Sequence, residues 1–297
     1  MTGDLVIGVD CSTTAAKAVV WGSDGTPLSS ARIPYDLSQP RPGWGEQNAE
    51  DWWSALSGAV RRAAQTVDAS RIAAICVTHQ RESFVCLDED GQPLRPAMLW
   101  LDGRAVDEVD EFGTAEVHRI TGKPPNPTPG WYKLLWLARH EPETLARVGR
   151  VVDLHGFVVQ RLTGRWQTSI ASADPLGLVD LSTGEYDAGL LAACGLSTEH
   201  MADLVAPGTV VGPLLDDVAD RLGLARGTMV VAGAGDGQAA QLGTGITDPG
   251  TAFVNLGSGI VSGTVSRDYS YAREYRTLFA ATPGSFSLET FMGGGTF

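Results

Sequence analysis

Short β-branched runs broken by polar turns open this sequence, a pattern with the two-residue period of strands. Leu5 to Trp21 reads as strand, tight turn, strand, because apolar stretches flank Asp10, Cys11, Ser12, Thr13 and Thr14, several of whose short polar side chains favour a turn. After a second turn at Gly25, Leu28 to Ile33 completes a meander, and the polar stretch from Gln39 to Asn48 is a loop. A helix follows, with Asn48 as its cap, acidic residues in its first turn and apolar positions at Trp53, Leu56, Val60 and Ala64. Ile72 to Thr78 is a buried strand, and Phe84 to Leu87 and Ala97 to Trp100 pair around the turn DEDGQ.

Beyond Arg104 the spacing becomes mostly helical, interrupted by the proline cluster from Pro124 to Pro129, which forces a loop. Lys133 to His140 is an amphipathic helix, Asp153 to Leu162 is another ending at Gly164, and Asp174 to Tyr186 is a loop. Met229 to Ala232 is a strand running into GAGDGQAAQLGTG, where glycines allow a tight crossing and small residues open a helix. Ala252 to Val265 repeats the opening theme of strand, Gly/Ser turn, strand. Strands alternating with helices predict an α/β fold. A second lobe starting near Gly250 has fewer than fifty residues here, too few for a core of its own.

Composition narrows the function. With 297 residues, 43% of them hydrophobic, and 36 glycines, the chain suits a folded α/β enzyme rather than a coiled coil or a disordered segment. A formal net charge of −13 argues against nucleic acid, whose binding depends on clustered Lys and Arg. Cys11, Cys76, Cys86 and Cys194 lack metal-ligand spacing and read as small core residues. No run approaches membrane-spanning length and no basic-plus-apolar leader opens the chain, so a cytoplasmic location with no membrane partner is expected.

Three groups of residues can carry chemistry. Asp10, at the end of a strand, can hold Mg²⁺ through water, while Thr13 and Thr14 can donate to phosphate oxygens and Lys17 adds positive charge. Standing alone, the segment suits an ordinary Asx turn equally well. Asp236, between Gly235 and Gly237, sits where a strand meets a helix; the glycines leave room for a substrate, and the carboxylate can take a proton from an attacking hydroxyl. A plain helix cap is the competing reading. Gln80, Arg81 and Glu82 follow a buried strand, with Trp100, Asp102 and Arg104 at the end of a neighbouring one, a set suited to adjacent hydroxyls with an aromatic wall. The alternative is an ion-pair network among Arg81, Glu82, Asp102 and Arg104. His118, His140 and His200 read as solvated and His155 as structural. A dinucleotide fingerprint is excluded at GAGDG because residue 238 is Gln.

Taken together, VIGVDCSTTAAKAVV, THQRES, MLWLDGRA, GAGDGQAAQLGTG and VNLGSGI resemble, in order and spacing, the FGGY carbohydrate kinases over nearly the whole chain. The first hairpin is similar to that family's first phosphate motif, with Ser12 where glycine is usual, and VNLGSGI to the second, with Gly257, Ser258 and Gly259 as its turn. The resemblance implies an actin-like fold of two ribonuclease-H-like lobes, each with a mixed five-stranded sheet flanked by helices. It implies a sugar-binding lobe over residues 1–248 and the start of a nucleotide-binding lobe over 249–297, with the adenosine-binding motif outside this sequence and the fragment inactive by itself. ATP and Mg²⁺ are the implied cofactors and a small sugar or polyol the implied partner; a homodimer is an assembly open to it.

For the substrate, the resemblance points two ways. His79 to Ser83 is close to the Asn-Gln-Arg-Glu-Thr of glycerol kinases, while GWGEQNAEDWW, WLDGRA and KLLWLARHEPE look more like xylulose kinases. Gly156 stands where xylulose kinases carry the aspartate of a Lys-Asp-Tyr segment. A pentulose is the leading expectation, with glycerol or a tetritol next. Two other classes stand beside the kinase: a non-catalytic sugar sensor, against which Asp10 and Asp236 argue, and an actin-like ATPase, against which the polyol set argues.

Overall fold

The structure, a computed structural model, describes residues 3–256 and 259–293. Six strands form the main sheet: β1 (Leu5–Cys11), β2 (Ala15–Gly22), β3 (Pro27–Pro34), β4 (Ile72–His79), β5 (Val210–Pro213) and β6 (Met229–Val231), in spatial order β5-β6-β4-β1-β2-β3. β1 runs parallel to β4 and β4 to β6, while the meander β1-β2-β3 and the edge strand β5 are antiparallel. The sheet therefore has one strand more than the expected five. The extra one, β5, carries Gly212 and Pro213 and is short, so its sequence gives little strand signal.

Alternation places Leu5, Ile7, Val9 and Cys11 of β1 in the core. Over them lies helix α1 (Ala49–Ala64), capped by Asn48, whose side chain accepts from the Glu50 amide. Trp52, Leu56, Ala59 and Val60 of α1 are fully buried, and side chains such as Leu56 each stabilise the fold by roughly 1.5–3 kcal/mol. A second apolar cluster gathers around helix α2 (Gly130–His140), where Trp131, Tyr132 and Leu134 meet Phe84, Met98 and Leu176. Helix α3 (Leu154–Thr163), capped by Asp153 and closed by Gly164 in the left-handed conformation, lies beside the first cluster.

A small four-stranded sheet orders Glu46–Gln47, Ala97–Met98, Phe84–Leu87 and Arg150–Asp153. The strand expected to reach Trp100 ends at Met98, because the chain turns there with the Asp102 amide bonding Leu99 O. Helix α4 (Asp236–Gly243) begins just after β6.

Another four-stranded sheet closes the described chain: β7 (Ala252–Leu256), β8 (Gly259–Ser266), β9 (Arg276–Phe279) and β10 (Phe286–Gly293), in spatial order β7-β8-β10-β9. It is fastened to the preceding chain. The Thr277 amide donates to Gly122 O (2.8 Å), the Phe279 amide to Asp174 Oδ2 (2.8 Å) and the Tyr269 hydroxyl to Arg119 O (2.6 Å).

Three smaller expectations change. His118, read as solvated, is buried against the Tyr271 ring at 5.2 Å between centroids. Cys76 is only partly buried, unlike Cys11, Cys86 and Cys194. The stretch from Asp174 to Tyr186 contains a short hairpin pairing Val179–Asp180 with Glu185–Tyr186. Among the described residues no helix is long and apolar enough to cross a membrane.

Candidate functional site

The turn between β1 and β2 is fixed from several sides. Both the amide and the hydroxyl of Ser12 bond Ala15 O at 3.0 Å, and the Tyr35 hydroxyl donates to Ser12 O. Gln47 Nε2 donates to Thr13 O (2.7 Å) and Trp100 Nε1 to Thr13 Oγ1 (3.0 Å). Ser12 has no positive φ, so serine fits here without the freedom that glycine would bring. Thr14 and Lys17 are exposed, Lys17 standing opposite Asp10 in the β1–β2 register. Gly257 and Ser258 lie outside the described residues; Gly259 opens β8, paired with Gly293.

Asp10 occupies an unusual electrostatic position. Burial pushes its carboxyl up to about 6, the negative charge of Asp236 pushes the same way, and Lys17 opposes both. Its Oδ1 is buried and has no hydrogen-bond partner among the described residues. An orphaned carboxylate oxygen near a second carboxylate is a donor set for a hard cation.

Asp236 is the first residue of α4, half-exposed; its Oδ1 accepts from the Gly237 amide (2.7 Å) and forms an ion pair with Arg81 Nε (3.0 Å). The flanking glycines serve a purpose other than the expected one. A Cβ on Gly237 would lie 2.6 Å from Arg81 Nη2, and one on Gly235 would lie 2.3 Å from Arg81 Cγ. The space that these two glycines leave is taken by the Arg81 side chain, while Asp236 itself stays half-exposed.

Arg81, Glu82, Trp100 and Asp236 all line one cavity of about 520 Å³. Gln80 does not. Its amide donates to Gln47 Oε1 (2.9 Å), which also accepts from Trp52 Nε1 (2.8 Å), so it braces the first hairpin instead. Asp102 and Arg104 are also absent from the lining: they pair with each other at 2.6 Å, and Arg104 reaches Glu46 at 2.7 Å. The ion-pair alternative thus holds for that pair, while Arg81 and Glu82 pair with other partners, Asp236, Glu289 and Arg276.

Glu82 has φ of 63°, the one positive value outside glycine among the described residues, which costs roughly 1–2 kcal/mol. Its Oε1 accepts from the Thr128 hydroxyl (3.0 Å) and from Arg276 Nη1 (3.1 Å). Arg276 also bonds Glu289 Oε2 (3.1 Å), and Arg81 Nη1 bonds that same oxygen at 2.7 Å. Burial pushes the Glu289 carboxyl up, but the Arg81 and Arg276 guanidinium groups overcome this and hold it below the usual range.

Several lining residues were not anticipated: Asn126, Thr128, Tyr275, Arg276 and Glu289. Thr128 was signalled only as a polar residue within the proline loop, and Glu289 as a single acid in the apolar alternation FSLETF. Behind the loop, Lys133 is fully buried and donates to Thr128 O (2.5 Å); burial lowers its ammonium to about 8. Beneath Asp236, the Gly233 amide donates to His155 Nε2 (3.1 Å), while His155 Nδ1 faces Thr168 Oγ1, which donates to Asp153. Burial drops the His155 imidazole to about 4, so it stays neutral as the structural residue expected.

Residues 5–243 match the N-terminal domain of the FGGY family of carbohydrate kinases. The chain belongs to that family. This FGGY chain is 36% identical over 271 residues to the xylulose kinase of Streptomyces rubiginosus, a match covering 89% of this chain and 54% of that protein. It is 30% identical over 267 residues to the xylulose kinase of Escherichia coli K12, covering 89% of this chain and 55% of the relative. The crystal structure of xylulose kinase from Rhodospirillum rubrum superposes with a TM-score of 0.94 at 27% identity, over 98% of this chain and 61% of that one. The FGGY chain thus spans about half the length of the curated relatives it matches.

Proposed function

We propose that residues 1–248 form the sugar-binding lobe, and 249–297 the opening of the nucleotide-binding lobe, of an ATP-dependent kinase for a terminal hydroxyl of a small neutral sugar. The substrate we favour is a pentulose such as xylulose. The observation that carries this reading is Asp236: it borders the cavity beside Arg81, and its charge bears on Asp10 below the first phosphate turn.

In this mechanism Glu82 and Arg81 bind sugar hydroxyls, and Trp100 presents an apolar face to the C–H edges. Asp236 accepts the proton of the hydroxyl that attacks the γ-phosphorus. Main-chain and hydroxyl donors of Thr13 and Thr14, in the turn that Ser12 braces through Ala15 O, with the Lys17 charge, hold the phosphates on one side, and the turn from Gly257 to Gly259 is assigned to the other. Asp10 would hold Mg²⁺ through water, its buried Oδ1 being without a partner among the described residues. Mg²⁺ takes one or two carboxylates and completes its shell with water and phosphate. Mg²⁺ supplies neutralisation of the phosphate charge that develops during transfer.

The cavity's charges favour a neutral substrate over a sugar acid. Glu82, Asp236, Glu274 and Glu289 outnumber Arg81, Arg273 and Arg276, and both Arg81 and Arg276 already bridge two carboxylates. A second reading, a glycerol or tetritol kinase, draws on the Arg81–Glu82 pair. A coupled ADP-release assay on the full-length protein against ketoses, polyols and aldonates separates them. The expected result is turnover with a pentulose, with Asp236→Ala lowering kcat by about 10²-fold or more. Absence of sugar-stimulated turnover, or a rate within a few-fold after Asp236→Ala, would reject the mechanism.

A further inference from the structure

The terminal sheet contributes two charged residues to a pocket whose other recognition groups come from far earlier in the chain. Arg276 of β9 and Glu289 of β10 are direct partners in the antiparallel register, so both side chains stand on the same face of that sheet. That face looks onto Arg81 and Glu82. Glu289 is wholly buried and receives both guanidinium groups, Arg81 at 2.7 Å and Arg276 at 3.1 Å. Arg276 then reaches Glu82 with its other terminal nitrogen.

The consequence falls on Glu82. Its Oε1 accepts from Arg276 Nη1 and shares the single proton of the Thr128 hydroxyl with Asn126 Oδ1, which lies nearer at 2.6 Å, so Arg276 is its committed donor; Oε2 has no donor among the described residues. A carboxylate fixed by one oxygen presents the other in a set direction, which is what a sugar hydroxyl donor requires. The backbone conformation at Glu82 is itself one that ordinary residues avoid, so the side chain needs outside support to stay in place.

We propose that Arg276, buttressed by Glu289, is a positioning residue for sugar recognition: it fixes Glu82 Oε1 so that Oε2 faces the bound sugar. The proposal rests on the kinase reading above and deepens it. The sugar site then has two parts, one within the matched N-terminal domain and one beyond it. Its chemistry favours a polyhydroxylated neutral ligand, because both guanidinium groups are engaged by carboxylates before any ligand arrives.

The test is a double-mutant cycle on the full-length enzyme. D-xylulose affinity is measured by calorimetry, KM and kcat by coupled ADP release, and folding by melting temperature, for wild type, Arg276→Met, Arg276→Lys, Glu82→Gln and the Arg276→Met/Glu82→Gln pair. The expected result for Arg276→Met is an affinity about tenfold weaker and a KM about tenfold higher, with kcat changed less than about threefold. Arg276→Lys should recover part of the loss, since a lysine keeps the charge but not the fork. In the Glu82→Gln background Arg276→Met should cost less than about twofold, because the group it orients is already altered. Undiminished affinity in Arg276→Met, or an equal loss in both backgrounds, would overturn the proposal. If the wild type binds no neutral sugar, the kinase reading itself falls; if it binds and the cycle shows no coupling, only the role of Arg276 falls.

Discussion

Below a pH of about 6 the Asp10 carboxyl keeps its proton in the folded chain, whereas an unperturbed aspartate releases it near 3.8. Between these values the folded state holds the extra proton, so stability falls as pH rises through this window and stays reduced above it. Replacing Asp10 by Asn removes that penalty. The melting temperature of Asp10→Asn should exceed wild type at pH 7 to 8 by a few degrees, on the order of 3 °C, with the difference closing near pH 4. Mg²⁺ with nucleotide should stabilise the wild type but not the variant. Equal melting curves across the range would show that Asp10 is not strained by its surroundings. Asp10, Thr13, Arg81, Glu82 and Asp236 stand out as candidates in the sequence because each ends a strand or opens a turn or helix. Gln80 stands out with them in the sequence, but its side chain bonds Gln47, and it is the turn after His79, with Glu82 at φ 63°, that brings Arg81 and Glu82 to the cavity.

At the scale of elements, β1 and helix α1 follow directly from alternation and a cap, because each buries one face, and α3 follows from its Asp153 cap and Gly164 stop. The junction of β6 and α4 carries more than its pattern conveys. GAGDG reads as room beside Asp236, and in the structure a Cβ on Gly235 or Gly237 would also collide with Arg81, which reaches both Asp236 and Glu289. A contact between residues this far apart in sequence leaves no local signal. The consequence is testable with Gly237→Ala. Its methyl group would press on the rigid end of a guanidinium that ion pairs hold on two sides, and such overpacking costs about 1–3 kcal/mol or displaces the side chain. Displacement should lower kcat/KM for the sugar by at least about tenfold, with little change in secondary structure by circular dichroism. Wild-type kinetics in Gly237→Ala would mean that Arg81 is free to move and does not fix the base.

The molecule as a whole places a family-matched lobe, residues 5–243, against a sheet that begins after it and would have little core of its own. Two kinds of contact join them: main-chain bonds at Thr277 and Phe279, and the ion pairs of Arg276 and Glu289 with Glu82 and Arg81. The second kind lines the cavity and the first lies beside it on the same strand, so a ligand that orders the ion pairs must also restrict β9. Binding that favours the closed arrangement raises the free energy of local opening in proportion to ligand saturation. Amide hydrogen exchange at Thr277 and Phe279 should therefore slow on saturation with D-xylulose, by about tenfold or more at 10 to 100 times the dissociation constant. The amides of β3, at the far edge of the main sheet, should not respond. If sugar binds while Thr277 and Phe279 exchange at unchanged rates, the sheet is a passive neighbour and the sugar site is complete within the first lobe.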